Sequence, residues 1–273
     1  MRARERAPAG IFFATKSFTF SMQIIFLIAI MNMKKTLVVS VSALLMSLSA
    51  FAWTKTTEGE GNLGRMFVSV DGGAQFNKYK NLDGEKFDKV SGVAAIEFNV
   101  PVFKPGVNAF KDISWMGVDL NAAFNFAGGD IVNGASLLSY GVQASAVPYL
   151  NFETGWKYFQ AIKPFAFGRA GYLWNEYGND FSSDQNYFTY GFGGGVEFVV
   201  SETFSVTGVW AWNGNAESGV PIYQTVGAEA TYWANSMMGF SIFAEHNFGA
   251  DYSGFEHKHG DTFGVKFKIG FAR

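Results

Sequence analysis

From Met66 onward, apolar and polar positions alternate in runs of about ten residues. Each run is closed by a stretch rich in Gly, Asn, Asp or Ser. Met66, Val68, Val70, Gly72, Ala74 and Phe76 fall on one face, with Ser69, Asp71, Gly73 and Gln75 on the other. In the next run Val90, Gly92, Ala94, Ile96, Phe98 and Val100 alternate with Ser91, Val93, Ala95, Glu97 and Asn99. A third sets Met116, Val118, Leu120, Ala122, Phe124 and Phe126 against Gly117, Asp119, Asn121, Ala123 and Asn125. A period of two is that of a β-strand with unlike faces. Further runs fall near 137–149, 163–174, 187–200, 203–212, 222–232, 238–248 and 262–272. About ten tilted residues per run suffice to cross a bilayer's hydrocarbon as a strand.

The pattern therefore predicts an all-β, transmembrane, antiparallel up-and-down barrel of about ten strands, an even number that puts both ends on the periplasmic side. Eight strands result if 203–212 and one neighbour are not strands. The stretches 79–88, 127–136, 175–186, 213–221 and 249–261 are expected as surface loops, and SETF at 201–204 and WANSM at 233–237 as tight turns. The breaks at 101–114 and 150–162 are longer than such turns usually are. Aromatic residues collect near strand ends, predicting two interfacial girdles. One holds Trp115, Tyr149, Phe204, Tyr232 and Trp233, the other Tyr172, Trp174, Tyr190, Trp210 and Trp212.

Composition supports this picture. Aromatics make up 18% of the chain, with 30 Phe and 32 Gly, whereas charged residues are only 16%. Average soluble domains carry about 25% charged residues. No apolar run after residue 52 is long enough for a transmembrane helix. Cysteine is absent, which removes disulfides, thiolate nucleophiles and Cys-type zinc sites.

The amino-terminal region reads as an address. Lys34 and Lys35 precede the apolar stretch Thr36 to Leu48, and Ala50-Phe51-Ala52 forms a small-x-small cleavage site. Residues 33–52 are thus expected to be a signal peptide cut between Ala52 and Trp53, leaving 53–273 as the barrel. Residues 1–32 are read as an over-extended translation start. Residues 1–52 hold six Lys/Arg and one Asp/Glu, so beyond them 15 basic and 22 acidic residues give a net charge of −7. That balance argues against nucleic acid as a partner.

The closing run TFGVKFKIGFAR places Phe263, Val265, Phe267, Ile269 and Phe271 toward lipid and Lys266 and Lys268 inward. With GFGGGVEFVVSETFSV at 191–206, it resembles the outer-membrane protein A and opacity-protein β-barrel superfamily. The alternation fits that family along residues 53–273, and these two segments fit it in detail. Ala272 and Arg273 after the terminal aromatic, and ten strands where eight are usual, depart from it. The resemblance implies a place in the bacterial outer membrane, among its lipids, and recognition of the C-terminal strand by the barrel-assembly machinery.

Inward positions carry the acids Asp71, Glu97, Asp119, Glu197, Glu229 and Glu245 and the bases Arg169, Lys266 and Lys268. Charges held away from water need partners, so these nine are expected to form an internal ion-pair network. Alternatively they line a narrow, cation-preferring pore. The glycines at 191–195 lie in a strand with no helix after it, which excludes phosphate cradling and leaves curvature and close packing. His257 and His259 stand between Glu256 and Asp261 in the expected last loop. They are read as solvated, so no metal site is assigned. Omptin-type proteases need paired acids and an Asp–His couple, yet neither Asp-x-Asp nor Asp-x-His occurs. Lipid A deacylases need Ser two residues after a His, and Phe248 follows His246 there. No catalytic residue and no cofactor is expected. The function expected is a structural or surface-interaction, adhesin-like role with an unidentified extracellular ligand; a small cation channel is the alternative, and a rim hydrolase the third reading.

Overall fold

The computed structural model describes residues 61–81, 86–105, 113–130, 136–156, 158–178, 185–216, 222–252 and 255–271. The expected signal peptide and its cleavage at Ala50, Ala52 and Trp53 lie outside these residues. Among the described residues every regular element is a strand. They are β1 (Met66–Asn81), β2 (Lys86–Phe103), β3 (Met116–Asp130), β4 (Ser136–Leu150), β5 (Phe152–Trp156), β6 (Phe159–Tyr177), β7 (Gln185–Ser201), β8 (Phe204–Asn215), β9 (Tyr223–Trp233), β10 (Met238–Tyr252) and β11 (Phe255–Phe271).

Each strand pairs antiparallel with its sequence neighbours, β5 apart. β1 pairs with β11 and β4 with β6, so the sheet closes on itself. Ten strands form the wall. β5 is a short extra strand in the long 150–162 break, paired only with the base of β6. Closure removes the free edges that would leave backbone groups unpaired in lipid.

Every expected run is a strand, and most are longer than expected. β6 has 19 residues and β2 has 18, against the roughly 9–11 needed to cross the hydrocarbon. The extra length gathers at the end away from the chain termini, called the mouth here, which is the extracellular side in barrels of this kind. The largest correction falls at 249–261, expected as a loop. β10 runs on to Tyr252 and β11 begins at Phe255, so Asp261, His259 and His257 belong to paired strand. The run escaped notice because small and charged residues (Gly249, Asp251, Lys258, Gly260) mask its alternation.

The base turns obey local chemistry. Ser201 Oγ accepts the Thr203 N–H at 3.3 Å in SETF, and Asn235 Oδ1 accepts the N–H groups of Met237 and Met238 at 2.8 and 2.9 Å in WANSM.

Side chains divide as the period of two requires. Outward positions form a belt of large exposed apolar groups, with Ile242 and Val265 65% and 62% exposed and Val70, Val90, Leu120 and Phe263 similarly open. A continuous apolar exterior of this kind is stable only against lipid. Trp115, Phe204 and Tyr232 are exposed at the base as a girdle requires, and Tyr172, Tyr190 and Trp210 nearer the mouth. Two girdle assignments are corrected. Tyr149 and Trp233 are each only 2% exposed because they point inward and pack beneath the N-terminal turn described below. Met66 and Val68, at the foot of β1, are likewise buried rather than exposed.

Candidate functional site

The lumen holds the unusual chemistry, and it is built in three levels. At the base, residues 61–65 turn into the barrel before β1 begins. Gly61 and Gly64 take φ of +65° and +88°, left-handed values that favour glycine. A Cβ at Gly61 would stand 2.6 Å from Glu197 Oε1, and one at Gly64 2.8 Å from the Tyr149 hydroxyl. The turn's backbone is gripped by carboxylates. Glu197 accepts the Asn62 N–H on Oε1 at 2.6 Å and the Leu63 N–H on Oε2 at 3.0 Å, while Asp119 Oδ2 accepts the Gly64 N–H at 2.9 Å.

Other groups fasten the same turn. Asn99 Nδ2 donates to Asp119 Oδ2 at 2.9 Å and to the Arg65 carbonyl at 2.8 Å, and Lys163 Nζ donates to the Leu63 carbonyl at 2.8 Å. Arg65 Nε donates to the Gly61 carbonyl at 3.1 Å, and its guanidinium lies 4.1 Å from the centre of the Trp233 ring. Asp119 and Glu197 are 0% exposed. The result is a packed floor at the base, its turn held by hydrogen bonds to side chains of the wall.

One level up lies the ion cluster. Lys266 Nζ sits 3.1 Å from Glu97 Oε2, 3.3 Å from Glu229 Oε2 and 3.7 Å from Asp71 Oδ2. Lys268 pairs with Glu229 and donates to Asn62 Oδ1 at 3.0 Å, which ties the cluster to the floor. Thr231 Oγ1 donates to Glu229 Oε1 at 3.0 Å and accepts from Asn62 Nδ2 at 2.9 Å. The ammonium groups also lie over rings, Lys266 over Phe243 at 5.2 Å and Lys268 over Phe67 at 5.0 Å.

Above the cluster the lumen is hollow. Tyr223 points inward yet is 39% exposed, and inward-pointing Glu245 is also exposed. Among the described residues neither Arg169 nor Glu245 makes a hydrogen bond or ion pair. Arg169 stands 5.6 Å from the Phe167 ring. Asn175, Asn213, Thr225 and Asn247 give this level a polar wall, linked by Asn213 Nδ2 to Thr225 Oγ1 at 3.1 Å and Thr225 Oγ1 to Asn247 Oδ1 at 2.7 Å. The glycines of β7 make the room. A Cβ at Gly193 would lie 2.5 Å from Phe167 Cζ, and one at Gly195 2.7 Å from Phe165 Cζ, so close packing is their role.

The nine charged residues expected as one network thus serve three arrangements. Asp71, Glu97, Glu229, Lys266 and Lys268 form the cluster, Asp119 and Glu197 hold the floor, and Arg169 and Glu245 face the hollow. Sequence reading missed the turn Gly61–Arg65, Lys163 and Asn99. The signal available was two glycines three apart immediately before a strand, and an inward Lys163 in phase with Arg169.

No protein-family model matches the chain, and no curated protein matches it in sequence. Solved structures resemble it in architecture. The transport unit of the autotransporter AIDA-I from Escherichia coli aligns at 10% identity and a TM-score of 0.48, over 80% of this chain and 93% of that one. Neisserial surface protein A aligns at 12% and 0.36, over 76% and 97%. Ail, the attachment invasion locus protein of Yersinia pestis, aligns at 11% and 0.34, over 75% and 99%. The closed ten-stranded wall and its apolar exterior define the class from this chain's own geometry. The protein is an integral β-barrel of the bacterial outer membrane.

Proposed function

We propose that this barrel does not conduct and that its role is structural or one of surface interaction, meeting its surroundings through the open upper lumen and the long strand ends at the mouth. One observation carries the reading: the turn at 61–65 is fastened into the base by Glu197, Asp119, Asn99 and Lys163, which supports a base closed to a continuous aqueous path. Glu245 and Arg169, which make no hydrogen bond or ion pair among the described residues, are groups an extracellular ligand would meet. The alternation of the closing strand supports placing the chain in the outer-membrane protein A and opacity-protein superfamily, with outer-membrane lipids around it and the barrel-assembly machinery recognising β11.

The channel reading needs the floor to leave, because two of its six acids hold that floor and three more are paired to lysines. The hydrolase reading gains one element. His246 and Asp261 are directly opposed on β10 and β11, with Nδ1 2.7 Å from Oδ1. Nucleophilic catalysis would further need a hydroxyl within reach of His246, whose hydrogen bond among the described residues is to Asp261.

Single-channel recording of the refolded protein in a planar bilayer tests the proposal. Inserted, silent barrels are expected. Discrete cation-selective steps from the wild-type protein overturn it and make Glu97 and Glu245 the pore-lining acids.

A further inference from the structure

On the outer wall, near the mouth, three side chains converge that take no part in the lumen. His246 on β10 is paired in register with Asp261 on β11, and His259 lies two residues before Asp261 on the same face. Residues so placed are side-by-side and diagonal neighbours on a pleated sheet. This face is the outward one, shared with exposed Phe263 and Phe248.

We propose that His246, His259 and Asp261 form a binding site for a divalent transition metal, with Zn2+ as the representative ion. Two imidazoles and a carboxylate form a donor set that suits zinc, copper or nickel, unlike the all-oxygen sets of calcium and magnesium. One ligand atom from each lies within 4.8 Å of the others. Around a tetrahedral zinc with bonds of about 2.0–2.1 Å, ligand atoms stand about 3.3 Å apart. His246 Nδ1 to Asp261 Oδ1 is 2.7 Å and His259 Nδ1 to Asp261 Oδ2 is 3.5 Å, which bracket that spacing.

A second observation points to a ligand. Among the described residues, His259 Nδ1 is enclosed and has no hydrogen-bond partner, Asp261 Oδ2 standing 3.5 Å away without hydrogen-bond geometry. An enclosed polar atom left unpaired is costly, and a metal would satisfy it. The site is also stiff. It sits on paired strands rather than a loop, and the Phe248 and His246 rings pack nearly perpendicular at 4.8 Å between centres. The two imidazoles are 5.5 Å apart and tilted 31°, close enough to share an ion. Three protein ligands leave a fourth position open. Lys78, exposed on β1 opposite His259, opposes a cation electrostatically and sets a limit on affinity.

The site differs from the one its sequence suggests. The HKH spacing groups His257 with His259, but the fold brings in His246 from the preceding strand.

Calorimetric titration of the refolded protein in detergent with ZnCl2, compared with empty micelles, tests the assignment. One Zn2+ per chain is expected. Loss of an outer-shell partner alone costs metal sites about 10- to 100-fold in affinity. His246→Ala, His259→Ala and Asp261→Ala should each weaken binding at least that much, while His257→Ala leaves it intact. Lys78→Ala should tighten it. Heat-dependent gel migration reports whether each variant is folded, and His246→Gln and Asp261→Asn replace any that is not. Cobalt(II) supplies an independent readout, with the visible absorption of a tetrahedral nitrogen–oxygen site in wild type and its loss in His246→Gln. No zinc binding above the micelle control overturns the proposal. So does a pattern in which His257→Ala abolishes binding and His246→Ala does not.

Discussion

The carboxylate of Glu197 and the backbone N–H of Asn62 are separated by 135 residues in the chain and by 2.6 Å in the structure. Through this pair residues 61–65 are built into the barrel ahead of the first strand. Because Glu197 also takes the Leu63 N–H, Glu197→Gln places an amide donor against a second donor. An enclosed unpaired N–H costs about 1–3 kcal/mol. Urea unfolding in lipid vesicles should show a loss of that size, and planar-bilayer recordings should show intermittent openings absent from wild type. Unchanged stability together with unchanged silence would mean that the turn does not close the base.

Lys268 joins floor and cluster, contacting Glu229, Asn62 and Thr231 while only 2% exposed. Lys268→Met leaves the Asn62 amide oxygen without its donor and Glu229 with Lys266 as its remaining cation. Breaking one partner of a buried pair costs about 3–5 kcal/mol. The double variant Lys268→Met, Glu229→Leu should lose less than the sum of the two single losses. A double-mutant cycle in urea would register that coupling as more than about 0.5 kcal/mol. Strict additivity would show that the two residues act independently.

How much of this was legible in the sequence follows from what each feature depends on. The wall was legible because lipid forces a period of two: Phe263, Val265, Phe267 and Ile269 could alternate with Lys266 and Lys268 for one reason only. The residues of the ion cluster could be named for the same reason, since they all lie on one face. Which acid serves which purpose was not legible. Asp119 and Glu197 look like Glu97 along their strands, and only the arrival of Asn62, Leu63 and Gly64 at the base tells them apart. Tyr149 and Trp233 misled because an aromatic at a strand end is equally suited to a headgroup and to a cation such as Arg65. The His246–Asp261 pair escaped because sequence motifs assume neighbours along one strand, and this one crosses two.

Gly193 offers a test of packing in the middle of the lumen. A Cβ there would stand 2.2 Å from the Trp210 carbonyl oxygen and 2.5 Å from Phe167 Cζ. Gly193→Ala should therefore destabilise by about 1–3 kcal/mol, the usual cost of overpacking. Adding Phe167→Ala removes the ring but not the carbonyl, so rescue should be partial. Full rescue would place the whole conflict at the ring, and no loss in Gly193→Ala would show that the strand shifts freely.

The division of the lumen into a hollow above and a floor below can be probed by chemistry, because the chain has no native cysteine to interfere. Glu245 points inward, is exposed, and makes no hydrogen bond or ion pair among the described residues. Ser205 also points inward but is 1% exposed, and among the described residues its hydroxyl has no hydrogen-bond partner, so replacing it with the slightly larger thiol disturbs little. A charged, membrane-impermeant methanethiosulfonate reagent needs water to reach its target. Folded Glu245→Cys should react promptly, whereas Ser205→Cys should react only after denaturation. Equal reaction at both positions would show water passing through the base and would reopen the channel reading. Protection at both would mean that the upper lumen is closed as well, leaving only the outer wall and the strand ends to meet a ligand.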